Sequence, residues 1–567
     1  VLRRRLTLIT IIILYLVLIS YVLFLKSYEV NESYKINESS KKLATLTDEK
    51  GRIIAVDKTI YEVWLDLETI KKRDKLEKLE SQLNRFLKKE DYKKTHVLLG
   101  KYSDILELKT YIPDSILRYS RIYKTYERIY NTSYDLRKNV GEKGKTEYGI
   151  EPFLYEMGLL DSKERIKLSL DLKLQKIAYE ELSDMISEQN AEGGTVIIME
   201  TKTGKIRAAV SNYPWNMAFM GYIEPGSTMK PIIYSIALEE GLISPYQKFE
   251  LSYNITPVPD VNFTISEVEG HYFTNIDAKD AIAYSSNVAA VKVMQKIIEN
   301  FSNDWLYNKL EQMGFGEKTG IEFKKEISGV FKKPKSWYKI TPYQIAIGQG
   351  IGVTPIQLVS IFNIFANEGK YIKPTFLENK DSQGYQIFSP EIANLMRDWL
   401  RYTMLKGTAR KAYKPGVLIA GKTGTAQKAI AGKGYSDKYY SLFVGFFPAS
   451  KPKYTIVSII DDPKKEYYGG EVAAPVATNI FYRLEEFKYP ERVKFFDGYL
   501  PNLKGMKLTE ALYILKSLGI DEKRIILSGK GNYVLNQKPN VSYEIDKIDY
   551  VILYLGDEKD GKNINIR

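Results

Sequence analysis

Glu224-Pro225-Gly226-Ser227-Thr228-Met229-Lys230-Pro231-Ile232-Ile233-Tyr234-Ser235-Ile236-Ala237-Leu238 decides how this chain is read. The apolar run after Lys230 predicts a buried helix that starts at or near Ser227. Residues i and i+3 share a helix face, so Lys230 Nζ comes within reach of Ser227 Oγ. A serine hydroxyl is a weak nucleophile until a base sits beside it, and a desolvated amine serves as well as an imidazole. Two decoys, Ser39-Ser40-Lys41-Lys42 and Ser336-Trp337-Tyr338-Lys339, share the spacing. The first lies in a polar, Asn- and Lys-rich stretch and the second follows Lys332-Lys333-Pro334-Lys335, so both read as solvated loops.

Two further signatures follow in order, Ser285-Ser286-Asn287 and Lys422-Thr423-Gly424-Thr425. Together with Ser227 and Lys230 they supply proton shuttles and a carboxylate site for serine acyl transfer. Val417-Leu418-Ile419-Ala420 runs into Lys422, which places it on a strand whose small neighbours let a substrate approach the backbone. Lys202-Thr203-Gly204 sits between two strand-like runs, 195–199 and 206–211, and reads as a hairpin turn. Lys318-Thr319-Gly320 reads as another turn, and Ser252-Tyr253-Asn254 repeats the second signature. Ser286 reads as filler, Met229 as core packing and Lys428 as a solvent-facing strand residue.

The chain has 567 residues, 44% of them hydrophobic, which supports large cores and suggests three or four units. No cysteine is present, so disulfides and thiolate metal sites are excluded. Only His96 and His271 exist, which rules out a His-rich metal site; His96 reads as an ordinary surface or helix residue, and His271 as a loop residue with a substrate-groove role as the alternative. No cofactor and no metal are expected. Leu6 to Leu25 is uncharged over 20 residues, enough to span about 30 Å of bilayer. Arg3-Arg4-Arg5 precede it and Glu29 and Glu32 follow, so the expectation is a plasma-membrane anchor with a cytoplasmic N-terminus and an extracytoplasmic remainder. The net charge of +13 then suits an anionic membrane surface or wall polymer, and no nucleic-acid partner is expected.

The organisation reads as a cytoplasmic stub and anchor over 1–26, a linker and non-catalytic pedestal over 27–165, a catalytic domain over 166–489, a small module over 495–557 and a tail over 558–567. The pedestal shows strand-like pieces at Arg52-Ile53-Ile54-Ala55-Val56 and Tyr61-Glu62-Val63-Trp64-Leu65, then mostly charged helical patterns. In the small module Leu508, Ala511, Leu512, Leu515 and Leu518 keep helical spacing before Gly519, with strands expected over 524–527 and 548–555.

With these motifs in place, the chain resembles the class B penicillin-binding proteins, membrane-anchored transpeptidases of peptidoglycan synthesis. The likeness extends to Asp48-Glu49-Lys50-Gly51-Arg52, Leu170-Asp171-Leu172-Lys173-Leu174-Gln175, Ile347-Gly348-Gln349-Gly350, Val353-Thr354-Pro355-Ile356-Gln357 and Tyr467-Tyr468-Gly469-Gly470. Leu500-Pro501-Asn502-Leu503-Lys504-Gly505-Met506 with Gln537-Lys538-Pro539 looks like a PASTA domain. The resemblance implies an α+β multidomain fold: anchor, elongated pedestal, a serine β-lactamase-like transpeptidase domain with an antiparallel sheet flanked by helices, and a PASTA-like α/β module. It implies Ser227 as nucleophile, Lys230 as its base, Ser285 and Asn287 as shuttle and holder, and Lys422 with Thr423, Gly424 and Thr425 at the substrate carboxylate. The implied partners are peptidoglycan stem peptides, lipid-linked precursors, β-lactam antibiotics, a membrane glycosyltransferase and divisome proteins. Two other readings remain open at this point: a hydrolase of β-lactams or D,D-peptides, and a non-catalytic wall-binding scaffold or sensor.

Overall fold

The computed structural model describes Tyr15 and residues 35–131, 133–141, 146–268, 273–414, 417–430, 434–484, 500–506, 508–540 and 543–557. The expected span Leu6 to Leu25, Tyr15 apart, and His271 lie outside the described residues. Among the described residues no helix is long and apolar enough to cross a membrane. The chain divides into two compact units: Val1–Thr45, Ala55–Tyr130 and Asp161–Glu164 form one, and Leu46–Ile54, Asn131–Leu160 and Arg165–Arg567 the other.

In the first unit β1 (Ile36–Glu38) pairs in parallel with β4 (Ser120–Tyr130), and β2 (Ile53–Asp66) pairs antiparallel with both β3 (His96–Tyr102) and β4. The two strand-like pieces of the sequence are one strand of 14 residues. Asp57, in the middle, bridges them because it faces Arg128 in register and pairs with it at 3.0 Å, while its other oxygen accepts from Leu43 N at 2.6 Å. The charged stretch beyond it is also less helical than its pattern suggests. His96 opens strand β3 and Arg121, Ile122, Tyr123 and Lys124 lie on β4, where Ile122 is buried and its neighbours are exposed or half-buried. Short helices α1 (Leu67–Lys72) and α2 (Leu76–Leu83) pack Leu67, Ile70 and Leu83 onto Val63, Leu65 and Ile122.

The second unit is built on a five-stranded antiparallel sheet in the order β7-β8-β9-β5-β6, with β5 (Gly193–Glu200), β6 (Ile206–Ser211), β7 (Ala420–Ile430), β8 (Gly434–Phe447) and β9 (Tyr454–Asp461). Lys202, Thr203 and Gly204 form the turn between β5 and β6, as their composition predicts, with Gly204 at φ +75°. One core gathers Ile177, Leu182, Val196, Ile198, Phe443, Ile456, Val476 and Phe481, joining the sheet to helices α3 (Leu172–Gln189) and α9 (Ala473–Arg483). Helix α7 (Pro355–Ala366) is buried along all 12 of its residues and packs on β5, β8 and β9. Nine of its residues are apolar, and its three polar ones are buried with hydrogen-bond partners, Gln357 on Glu317 O, Ser360 on Ile356 O and Asn363 on Thr201 O, so it sits in the core. Before it come α4 (Lys230–Glu239), α5 (Ala278–Ala283) and α6 (Asn287–Asn300), and after it α8 (Pro390–Lys406).

The terminal module carries α10 (Leu508–Ser517) and a three-stranded sheet in the order β10-β12-β11: β10 (Ile525–Gly529), β11 (Tyr533–Lys538) and β12 (Val551–Gly556). Among the described residues, its core of Leu500, Leu503, Ala511, Leu515, Val534, Ile548, Val551 and Leu553 draws on none outside the module. Strand β11 carries no clear apolar alternation in the sequence, because its inward positions include a glutamine. Gln537 is buried with its amide on Pro501 O at 2.8 Å and its oxygen on Leu503 N at 2.5 Å.

Candidate active site

Ser227 sits on a single 3-10 turn, Gly226–Met229, that runs directly into α4. The turn exists because Gly226 takes φ +52° and donates its N–H to Gly348 O at 3.1 Å. At Gly348 itself a Cβ would stand 2.0 Å from Gly226 O, so only glycine lets the second segment press against the nucleophile turn. On the far side Gly424 of β7 allows the same closeness: a Cβ there would meet Pro225 O at 3.1 Å and Thr228 Cγ2 at 3.2 Å. Met229 is fully buried, as packing.

Lys230 is fully buried and its Nζ lies 3.0 Å from Ser227 Oγ, 2.5 Å from Ser285 O, 3.1 Å from Ser285 Oγ and 2.7 Å from Asn287 Oδ1. A neutral amine donates two N–H groups and keeps one lone pair. The carbonyl of Ser285 and the Asn287 oxygen can only accept, so they take the two donors and leave the lone pair for a serine hydroxyl. Burial pushes Lys230 down to about 7, against the opposing pull of the Glu267 carboxylate. Lys422, also fully buried, donates to Ser285 Oγ at 3.0 Å and to Thr423 O at 3.0 Å. Desolvation, then the nearby Lys230, holds it well below the usual lysine range. Ser285 Oγ therefore stands between two lysine amines, on a residue held at φ +64°.

The three signatures, scattered in sequence, meet here. Thr423 Oγ1 is 2.6 Å from Thr408 Oγ1, and Thr425 Oγ1 accepts from Gly469 N at 3.3 Å. The decoys stay away from this cluster: Ser39 is exposed, Ser336 ends a 3-10 turn, Lys202 pairs with Glu368, and Thr319 is held by Glu326.

Two residues differ from their sequence reading. Ser286 is no filler: it caps α6, accepting from Ala289 N at 3.0 Å and donating to Glu267. Lys428 is half-buried rather than free in solvent; it donates to Asp461 Oδ1 at 2.6 Å and lies 4.9 Å over the Tyr440 ring. Asp461 comes from β9, two strands across the sheet, a partner that local spacing cannot reveal. Glu267 and Thr408 belong to the surroundings of the site and carry no motif of their own. Among the described residues no group of three or more His, Cys, Asp or Glu side chains is arranged to hold a metal ion.

A serine beside a buried lysine amine, a second serine between two such amines and a glycine-lined strand edge make up the site. Residues 194–482, just over half the chain, match the penicillin binding protein transpeptidase domain, and residues 498–557 match the PASTA domain. The chain belongs to the penicillin-binding protein transpeptidase family, in its class B form with a C-terminal PASTA domain. It is 31% identical over 341 residues to a probable peptidoglycan D,D-transpeptidase PbpC of Pseudomonas aeruginosa, a match covering 56% of this chain and 57% of that one. Stage V sporulation protein D of Bacillus subtilis is 27% identical over 433 residues, 69% of this chain and 65% of that protein. The chain thus matches less than two thirds of the length of either. Its fold is similar to the apo transpeptidase domain of penicillin-binding protein 3 from Burkholderia pseudomallei, with a TM-score of 0.51 at 28% identity, covering 55% of this chain and 94% of that structure.

Proposed function

We propose that this chain is a peptidoglycan D,D-transpeptidase that cross-links stem peptides through a Ser227 acyl-enzyme, working in cell division. The observation that carries the reading is the contact of a buried Lys230 Nζ, pushed down to about 7, with Ser227 Oγ at 3.0 Å. Such an amine is substantially neutral at physiological pH and is poised as a general base.

Ser227 Oγ attacks the carbonyl carbon of the penultimate D-alanine while its proton passes to Lys230 Nζ. Backbone N–H groups of Ser227 and Thr425 stabilise the oxyanion. The C–N bond then breaks, and the departing D-alanine amine takes a proton from Ser285 Oγ, which Lys230 replenishes. Lys422, Thr423 and Thr425 hold the terminal carboxylate, with Gly424 leaving room for it; Asn287 holds Lys230 and the substrate amide. An amine on a neighbouring stem peptide attacks the ester, hands its proton back through the same pair and frees Ser227. A β-lactam follows the first half of this course and stays attached.

The same reading puts Leu6 to Leu25 in the plasma membrane with the N-terminus cytoplasmic and the catalytic domain extracytoplasmic, and lipid-linked precursors, a membrane glycosyltransferase and divisome proteins beside it. The test is labelling of the detergent-solubilised chain with a fluorescent penicillin, followed by intact mass over several hours. A stable adduct that disappears in Ser227→Ala is expected. Rapid release of hydrolysed drug would make the chain a hydrolase, and a folded protein without adduct would make it a binding scaffold.

A further inference from the structure

Ser285 carries an unusual demand. Its φ of +64° lies in the left-handed region, which a serine occupies only when its surroundings hold it there. Yet the position of both its oxygens matters, since its carbonyl and hydroxyl each lie within reach of Lys230 Nζ. What holds it is found 18 residues earlier in the chain. Glu267, only 5% exposed, accepts from the backbone N–H of Asn287 at 2.7 Å and of Val288 at 3.3 Å, and takes the hydroxyl hydrogen of Ser286. Ser286 Oγ accepts in turn from Ala289 N. The free N–H groups of the first turn of α6 are therefore taken up by one carboxylate and the serine it binds, a favourable place for negative charge. The residue before Glu267 completes the grip: Ser266 O accepts from Asn287 Nδ2 at 2.8 Å, which turns Asn287 Oδ1 towards Lys230.

We propose that Glu267 is the positioning residue of this site, a buried clamp on the N-terminus of α6 that holds Ser285 and Asn287 against Lys230. Its charge has a second effect. Among the described residues, the charged and titratable groups around Lys230 are Lys422 from β7, Glu267, and Tyr234 one turn along α4, and of these Glu267 favours the protonated amine. Nothing in the acyl-transfer steps uses Glu267 directly, and the inference rests on that acyl-transfer reading.

The experiment compares the full chain in detergent with Glu267→Gln and Glu267→Ala, measuring the second-order rate of acylation by a fluorescent penicillin from pH 5 to pH 9, with thermal melting alongside. In Glu267→Ala the turn is released, and acylation is expected to fall about 100-fold, the scale of a misplacement near 1 Å. Glutamine is uncharged and has one acceptor oxygen where Glu267 uses two, so it keeps either Val288 N with the Ser286 hydroxyl or Asn287 N. Glu267→Gln should keep more of the rate at its optimum than Glu267→Ala and move the acid limb of the profile to lower pH, because Lys230 loses the carboxylate that favours its proton. If Glu267→Ala does not fold, the displaced limb of Glu267→Gln carries the test by itself. Profiles of both variants that superimpose on wild type overturn the proposal, as does a rate loss that only tracks the folded fraction with no displaced limb. A wild-type chain that forms no adduct overturns the acyl-transfer reading instead, and this one with it.

Discussion

Lys230 works as a base because its donors are already committed. With Ser285 O and Asn287 Oδ1 accepting its N–H groups, a neutral Nζ has its lone pair directed at hydroxyls alone. Since the depressed group is a cation, the reactive neutral form grows as pH rises through about 7. We predict that acylation, followed by stopped-flow fluorescence, increases with pH through that value and then levels off. Lys230→Arg keeps a charge that no protein environment removes; it should lower acylation by at least about 100-fold and also lower the melting temperature, because the fully buried site must take a larger permanent cation, so the rate is read per folded chain. The Ser227 and Lys230 pairing was legible in sequence because a helix brings i and i+3 together. Ser285 and Lys422 were legible only through their order and the texture around them. Glu267 was not legible, because a carboxylate in an irregular segment 18 residues before Ser285 acquires its meaning only when the chain folds back on α6.

Elements hold the site through contacts that small residues and buried charges make possible. Gly348→Ala would drive a methyl into Gly226 O at a position whose φ is +77°. It should lose about 1–3 kcal/mol by overpacking and slow acylation more than the stability loss explains, since the nucleophile turn itself must move; denaturant melts beside labelling rates separate the two. A second support is Arg207, buried on β6, whose guanidinium pairs with Glu49 at 3.1 Å, Glu200 at 2.9 Å and Glu378 at 2.7 Å. Arg207→Met removes the cation all three share while Lys205 stays on Glu378, Lys50 on Glu49 and the Thr203 hydroxyl on Glu200, and about 1–3 kcal/mol of stability should go with it in a urea melt. At this scale the hairpin of β5 and β6 and the helices α4 and α10 could be read from pattern, because each buries one apolar run of its own. The strands β3 and β4 could not. Their exposed faces are charged, so their alternation looks like an amphipathic helix until a partner such as β2 fixes the register.

Across the whole molecule, the terminal module keeps its own core, and this sets what truncation should do. Its buried residues run from Leu500 to Leu553, and its two sequence signatures are tied to each other by Gln537, which bonds Pro501 O and Leu503 N. The groups around Lys230, by contrast, all come from residues between Ser227 and Thr423. Domains with separate cores fold separately. A chain that ends after Leu484 should therefore acylate with penicillin at a rate within about twofold of the full chain. The excised segment 498–557 should unfold as one transition of its own. A module of this size buries only about 60% of the surface its unfolded chain exposes, so its transition should lie at lower denaturant than that of the transpeptidase domain. Calorimetry and urea titration of the full chain, the truncated chain and the excised module decide it. If removing the module slows acylation tenfold or more, the catalytic residues depend on contacts beyond their own core, and the division of labour drawn from the two cores fails.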